Sequence, residues 1–225
     1  MIPALDKDAL VARIAKNIAA LVDQETEPFV LNLGVGMPTL VAAYVKNPNI
    51  YIQAENGMLG VGPLAGPEEA HPMLCNASRQ PVLETPGCSY MDSVTSFGMI
   101  RGGHVGATVL GAFEVDQDAN IANWIIPNGK QLGVGGAMDL VAGANEVIVA
   151  MSHTHKGKAK LIKKCTLPIT GVGEVNVVVT EIGMFFFEHG RIILKKIAPE
   201  ATVDDVRSVT ELSFEAAPDI EKMIA

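Results

Sequence analysis

The sequence predicts an α/β protein, an open and mostly parallel sheet flanked by helices, with a C-terminal β-hairpin and short helix. Three stretches predict it. Residues 29–33, the glycine turn 34–36, the apolar run 40–45 and residues 49–54 follow the strand, turn, helix, strand order of a parallel βαβ unit. Residues 137–144 suit a short helix, and residues 146–151 suit the next parallel strand. Residues 175–187, the turn Glu188-His189-Gly190 and the run from Arg191 to Lys195 read as a β-hairpin. With 225 residues and no internal repeat or low-complexity segment, the chain is expected to form one domain over 1–225.

Composition narrows the partners. A net charge of −8 without a long basic block argues against nucleic acid and against an anionic membrane surface. The N-terminus lacks a basic segment followed by an apolar one, and no apolar run is long enough to span a bilayer, so the expected location is the cytoplasm. Cys75, Cys88 and Cys165 are an odd, widely spaced set with no C-x-x-C pair, which reads as reduced packing residues with no metal site. Charged residues make up 19% of the chain and the mean hydropathy is +0.28, so surface is expected to be buried against a second protein chain.

Taken in order, residues 5–22 place Leu10, Val11, Ile14, Ile18, Leu21 and Val22 at helical spacing, with Asp6 as the N-cap. Residues 29–33 are a short buried strand. Gly34-Val35-Gly36 turns the chain into an apolar helix over 40–45, and residues 49–54 have the β-branched and aromatic content of a strand. The G-x-G lacks the third glycine of the dinucleotide fingerprint. Between 61 and 93, five prolines argue against a long helix or an interior strand, leaving an irregular functional or interface segment. Residues 105–115 read as a buried strand, with His104 at its entrance as a core group more than as a general acid or base. The tract His153-Thr154-His155 with Lys156, Lys158, Lys160, Lys163 and Lys164 offers no third metal ligand and reads as a solvated basic loop. Thr202-Val203-Asp204-Asp205 has capping-box-like spacing for a short helix through Val209.

The stretch Gln53-Ala54-Glu55-Asn56-Gly57-Met58-Leu59-Gly60 draws the rest together. Asn-Gly between two apolar runs is a hairpin signal, which would make Glu55 a solvated turn residue. A right-handed βαβ unit over 29–55 would instead bring the turn from Asn32 to Gly36 and Glu55 to the same carboxyl edge of the sheet, where such sheets bind ligands. Asn32 is then a candidate partner of the carboxylate, or simply closes its turn. The glycine pair Gly135-Gly136 before the helix at 137–144 offers N–H donors that could hold an oxyanion.

With these pieces in order, the chain resembles the β (B) subunit of the family I CoA-transferases, the 3-oxoacid, acetoacetate, acetate and butyrate group. The matched stretches run over nearly the whole length. They are Asn32-Leu-Gly-Val-Gly-Met-Pro-Thr39, Gln53-Ala-Glu-Asn-Gly-Met-Leu-Gly60, Ser96-Phe-Gly-Met-Ile-Arg-Gly-Gly-His104, Ala122-Asn-Trp124, Gly135-Gly-Ala-Met-Asp-Leu-Val141 and Cys165-Thr-Leu-Pro168. The resemblance implies that Glu55 is the nucleophile, that Asn32 stands near it, and that backbone donors at Gly136 and Ala137 form the oxyanion position. It implies Gly34, Gly36, Asn56, Gly57, Met58 and Gly135 as residues lining CoA or substrate. No tightly bound cofactor is implied; coenzyme A is substrate and transient covalent adduct. The implied partners are an α (A) subunit in an α2β2 hetero-oligomer, acyl-CoA and small carboxylic acids. Three departures stand out: Ala54 where many members have serine, Asn128 as an extra loop residue, and the stretch from Arg79 to Thr85 in place of a glycine-containing one.

The chemistry suits such a residue. A glutamate carboxylate of ordinary pKa, ~4.3, is ionised at neutral pH, so attack on a thioester needs position and charge stabilisation but no general base. Apolar Met58, Leu59 and Val61 would help keep water from the intermediates. Two other readings are open at this stage: a non-catalytic ligand-binding or partner subunit on the same fold, and an acyl-CoA hydrolase.

Overall fold

The computed structural model describes residues 5–129 and 133–225. Helix α1, Lys7–Val22, begins where the sequence places it, with the Asp6 carboxylate accepting from the Ala9 N–H at 2.8 Å. Then come β1 (Phe29–Leu33), β2 (Ile50–Ala54), β3 (Met58–Leu64) and β4 (Val82–Tyr90). Helix α2 (Ser93–Arg101) leads to β5 (Ala107–Leu110), β6 (Glu114–Asp116) and β7 (Ile121–Ala122). Helix α3 (Ala137–Gly143) precedes β8 (Glu146–Ala150), and the short strands β9 (Thr154–His155), β10 (Lys158–Ala159) and β11 (Leu161–Ile162) follow. The chain ends with β12 (Val177–Val179), β13 (Gly183–Glu188), β14 (Arg191–Ile197), α4 (Val203–Ser208) and β15 (Glu215–Lys222).

Ten strands form one sheet in the order β15-β14-β13-β12-β8-β5-β1-β2-β3-β4. Its centre, β12-β8-β5-β1-β2, is parallel throughout; antiparallel pairings add β3 and β4 on one side and β13 and β14 on the other, where β15 joins β14 in parallel. Within that centre the chain steps from β1 outward to β2 and then back across to β5, so the strand order reverses between β1 and β5. Helix α1 packs Ile14, Ile18 and Val22 against Leu31, Leu33, Val109 and Ile148 on one face. Ile100 of α2 and Leu140 and Val141 of α3 enter the core on the other face, with Val147, Val149 and Phe185. The expected C-terminal hairpin is β13-β14, turned by His189 and Gly190, both at positive φ, as a two-residue hairpin requires. The expected capping box is present at Thr202 and Asp205.

Several expectations are corrected. The segment read as a helix over 40–45 is a 3-10 turn, Met37–Ala43; with Pro38 at its start and Pro48 soon after its end, it has too few residues for a regular α-helical ladder. The region from 61 to 93 read as irregular contains the end of β3, all of β4 and the start of α2. Pro86 is accommodated because β4 is an edge strand, and Pro63 because the β3-β4 register shifts between Val61 and Leu64. The single strand expected over 105–115 is two, since the chain leaves the main sheet after Leu110 and β6 joins a separate sheet with β7 and β11. The apolar stretch 175–187 folds back on itself as β12 and β13, because the Thr180 hydroxyl accepts from the N–H groups of Ile182 and Gly183 and closes a tight turn. Strand β15, which contains Pro218, is a further edge strand that the sequence pattern does not announce. His104 is exposed, not in the core.

The basic tract is only partly solvated, since His153 is buried. Its Nδ1 meets the Thr180 hydroxyl at 3.1 Å and its Nε2 meets the Thr210 hydroxyl at 2.8 Å. His153 thus links the end of β8 to the β12-β13 turn and to the segment after α4, where the Thr210 hydroxyl also donates to the Val206 carbonyl. Burial, followed by the nearby Lys160 ammonium, pushes the imidazole down to about 3, and burial pushes Lys160 down to about 8. Burial, then the Asp116 carboxylate, pushes the Cys165 thiol up to about 12, which suits a packing role. Among the described residues no group of three or more His, Cys, Asp or Glu could hold a metal ion, and no helix is long and apolar enough to cross a membrane.

Between pH 6.5 and about 3 the unfolded chain binds a proton at His153 that the folded chain refuses. The contribution of His153 is therefore full above pH 6.5 and lost as pH falls, at up to about 1.4 kcal/mol per pH unit. Urea unfolding across pH 4 to 7 is expected to show a shallower acid slope in His153→Gln than in the parent; equal slopes would remove this histidine from the acid response.

Candidate active site

The carboxyl ends of β1, β2 and β5 converge on Glu55. Strand β2 ends at Ala54, and Glu55-Asn56-Gly57 turn it into antiparallel β3, with Gly57 N–H donating to Ala54 O at 3.0 Å. The hairpin implied by Asn-Gly is therefore real, and it carries the carboxylate. Gly57 lies at φ +123°, and a Cβ there would stand 2.1 Å from the carbonyl oxygen of Met91, so this position needs both the conformational freedom and the small size of glycine. The Met91 N–H donates to Gly57 O at 2.9 Å and ties the turn to the chain that leaves β4.

Glu55 is half-buried, and its Oε2 accepts from Asn32 Nδ2 at 3.3 Å. Asn32 is buried in β1 and paired with Gln53 on β2 and Thr108 on β5. The Thr108 hydroxyl donates to Asn32 Oδ1 at 3.0 Å, Asn32 Nδ2 donates to Gln53 Oε1 at 2.8 Å, and Gln53 Nε2 donates to the Ser96 hydroxyl at 2.9 Å. Gln53, Ser96 and Thr108 were not among the residues singled out from the sequence. Only Gln53 carried a signal, lying two positions before Glu55 and so on the same strand face.

The glycine pair reaches the same place from α3. A Cβ built on Gly136 would lie 3.4 Å from Cγ of Glu55 and 3.1 Å from the ring of Phe97. Helix α3 is seated close to α2, where a Cβ on Gly143 would meet the Ile100 carbonyl at 2.4 Å. The Arg101 guanidinium bonds Asp139 at 2.7 Å across the two helices, and that carboxylate holds Arg101 more firmly protonated than usual. Ala137 is near, but its N–H donates to Val134 O at 3.0 Å, so that donor is engaged in the turn entering α3. Gly135 is exposed at φ +50°. Residues 130–132, between the extra loop residue Asn128 and the glycine pair, lie outside the described residues.

The remaining candidates are spread around the turn. Gly34 packs on β5, its N–H donating to Val109 O at 2.9 Å, and Met58 is buried at the start of β3. Gly36 and Asn56 are both fastened to the loop between β3 and β4. Gly36 N–H donates to the Ser78 hydroxyl at 3.2 Å, and Asn56 Nδ2 donates to Cys75 O at 3.0 Å. In that loop Asn76 Oδ1 accepts from the N–H groups of Ser78 and Gln80, and Arg79 takes φ +61°, a conformation in which glycine is at ease. Ala54 faces away from the carboxylate, packing with Met58, Val61 and Val82. A hydroxyl at position 54 would thus point to the opposite face of the sheet from the Glu55–Asn32 contact. That opposite face holds a cavity of about 770 Å³ between the 3-10 turn and β2 to β4, walled by Ile52, Ala54, Val61, Leu64 and Val82 among others. Glu55 is not among its walls, while Gly36 and Gln53 are.

The coenzyme A transferase family model matches residues 11–208. The chain is 44% identical to the β subunit of the acetate CoA-transferase of Escherichia coli (strain K12) over 210 residues, 92% of this chain and 94% of that protein. It is 42% identical to the β (B) subunit of the succinyl-CoA:3-ketoacid coenzyme A transferase of Helicobacter pylori (strain ATCC 700392 / 26695), covering 93% of this chain and 98% of that one. Among solved structures, an acyl-CoA transferase apoenzyme from Escherichia coli O157:H7 superposes with a TM-score of 0.74 at 19% identity over 99% of this chain, a likeness of fold. The chain spans 45% of that longer protein.

Replacing Gly57 tests how the turn is held. Gly57→Ala is expected to lose more than about 1 kcal/mol in urea unfolding, from strained φ and the collision with Met91 O together. A change within about 0.5 kcal/mol, as for an ordinary surface site, would mean that the hairpin can reopen there at little cost.

Proposed function

Because the chain belongs to the coenzyme A transferase family, we propose that it is the β subunit carrying the nucleophile, with Glu55 passing CoA from a short-chain acyl-CoA to a carboxylate acceptor. The observation that carries the reading is the Glu55 carboxylate at the end of β2, hydrogen-bonded by Asn32 at 3.3 Å and lying against Gly136. Side chains confine it on one side, and a glycine leaves room on the other for a reacting carbonyl.

One Glu55 oxygen attacks the thioester carbonyl; the carbon–sulfur bond breaks, CoA leaves as the thiolate, and an acyl-glutamyl anhydride remains. The thiolate then attacks the glutamyl carbonyl, releases the first carboxylate and forms a glutamyl-CoA thioester. A second carboxylate reverses the two steps and departs as its CoA ester, which gives ping-pong kinetics. Each tetrahedral intermediate puts negative charge on an oxygen. Gly136 N–H serves as a backbone donor to it, while Ala137 N–H would do so only if its bond to Val134 O opened; one such donor is worth about 2.7–4 kcal/mol. The Asn32 amide steadies the attacking carboxylate through the donor it already presents. Gly34, Gly36, Asn56, Gly57, Met58 and Gly135 shape the surrounding surface toward CoA and substrate.

Coenzyme A is substrate and transient adduct in this scheme, and no other cofactor takes part. An α subunit, whose existence the β (B) subunit names of the relatives suggest, completes the site, and the assembly proposed is α2β2. Acetate and 3-ketoacids, the acids in those names, are the first acceptors to try.

Incubating the αβ complex with acyl-CoA and then borohydride or hydroxylamine is expected to leave a modification on the peptide containing Glu55, detected by mass spectrometry. Glu55→Ala is expected to lower exchange by at least ~10³-fold, in line with loss of a covalent nucleophile. Full exchange in Glu55→Ala would sink the proposal. Release of CoA without any added carboxylate acceptor would favour hydrolysis in its place.

A further inference from the structure

Behind Glu55 runs a line of polar side chains shut off from solvent: Asn32, Thr108 and Ser96 are 0% exposed and Gln53 is 1% exposed. Such groups are costly to bury and gain little stability over apolar residues of the same shape. Their order is set by Glu55, whose ionised carboxylate can only accept and so requires Asn32 to present its NH₂. The two amide hydrogens then face Gln53 Oε1 and Glu55 Oε2, and Asn32 Oδ1 is turned toward β5. There it meets one donor, the Thr108 hydroxyl at 3.0 Å. The Gln53 carbonyl also accepts from Nδ2 at 3.3 Å, so the reverse orientation of the amide would set Oδ1 against three acceptors.

We infer that Thr108 is a positioning residue for the proposed reaction: its hydroxyl holds the Asn32 amide in the one orientation that donates to Glu55. The inference rests on reading Glu55 as the nucleophile. Without that hydroxyl, Asn32 Oδ1 becomes a buried acceptor lacking its donor, and the amide loses the contact that fixes it in the orientation facing the carboxylate. Ser96, at the far end through Gln53, closes the line on the β2 side but does not touch Asn32 Oδ1, so its removal acts more weakly.

The discriminating variants are Thr108→Val, which keeps the shape and removes the hydroxyl, and Thr108→Ser, which keeps the hydroxyl and removes the methyl. In the αβ complex, Thr108→Val is expected to slow single-turnover formation of the glutamyl-CoA thioester by ~10- to 100-fold, the scale of a misaligned reacting group. KM for the carboxylate acceptor should change little. Thr108→Ser should restore most of the rate. A readout independent of turnover is the ¹H–¹⁵N signal of the Asn32 side-chain amide, expected to shift in Thr108→Val and to return toward the parental position in Thr108→Ser. If Thr108→Val fails to assemble, Thr108→Ala carries the same comparison. A parental rate and a parental Asn32 amide signal in Thr108→Val, or a Thr108→Ser complex as slow as Thr108→Val, would overturn the inference. Absence of any Glu55 adduct in the parent overturns the transferase mechanism itself, and the Asn32 amide signal still reports whether position 108 holds that amide.

Discussion

The site depends on β1 being paired in parallel on both sides at once, so that Asn32 faces Gln53 on β2 and Thr108 on β5. The strand order reverses at β1, with the next parallel strand on one side and the one after it on the other, which leaves a crevice at the carboxyl ends. Because side chains alternate along a strand, a slip of one residue in either pairing would exchange Asn32 for Leu31 or Leu33 on the site face. The apolar contacts of Leu31 and Leu33 with α1 and its neighbours on the other face work against such a slip. Hydrophobic burial on one side of the sheet thus keeps the polar contacts on the other in register.

The parts of the site written in local sequence were legible. Asp6 as a cap, the strand 29–33, the Asn-Gly turn, the glycine pair before α3 and the capping box at Thr202 each depend on residues a few positions apart. The partners of Asn32 were not, because Ser96 and Thr108 meet it or its neighbour only through packing and strand register. Proline misled the reading of β3 and β4 for a related reason: whether a strand tolerates it depends on which edge of the sheet it occupies. Residues 105–115 read as a continuous apolar strand, yet they serve two sheets, and composition alone does not mark where a chain changes sheet.

The two readings of Glu55-Asn56-Gly57 turned out to be one. A hairpin turn brings three residues together with few side-chain demands, and here its first position falls at the end of a parallel strand beside β1. Gly57 supplies the backbone conformation, and the bonds from Gly57 to Ala54 and from Met91 to Gly57 supply the stiffness. A carboxylate on such a turn is already ordered by the folded chain, so holding it in place costs little further entropy.

The cavity behind Ala54 gives this arrangement a direction. Strand β2 is braced on the Gln53 side by hydrogen-bonded side chains and backed on the Ala54 side by open volume of about 770 Å³. Ile52, Ala54 and Val61, which line that space, can therefore differ in size without entering the hydrogen bonds that Asn32 and Gln53 make on the other face.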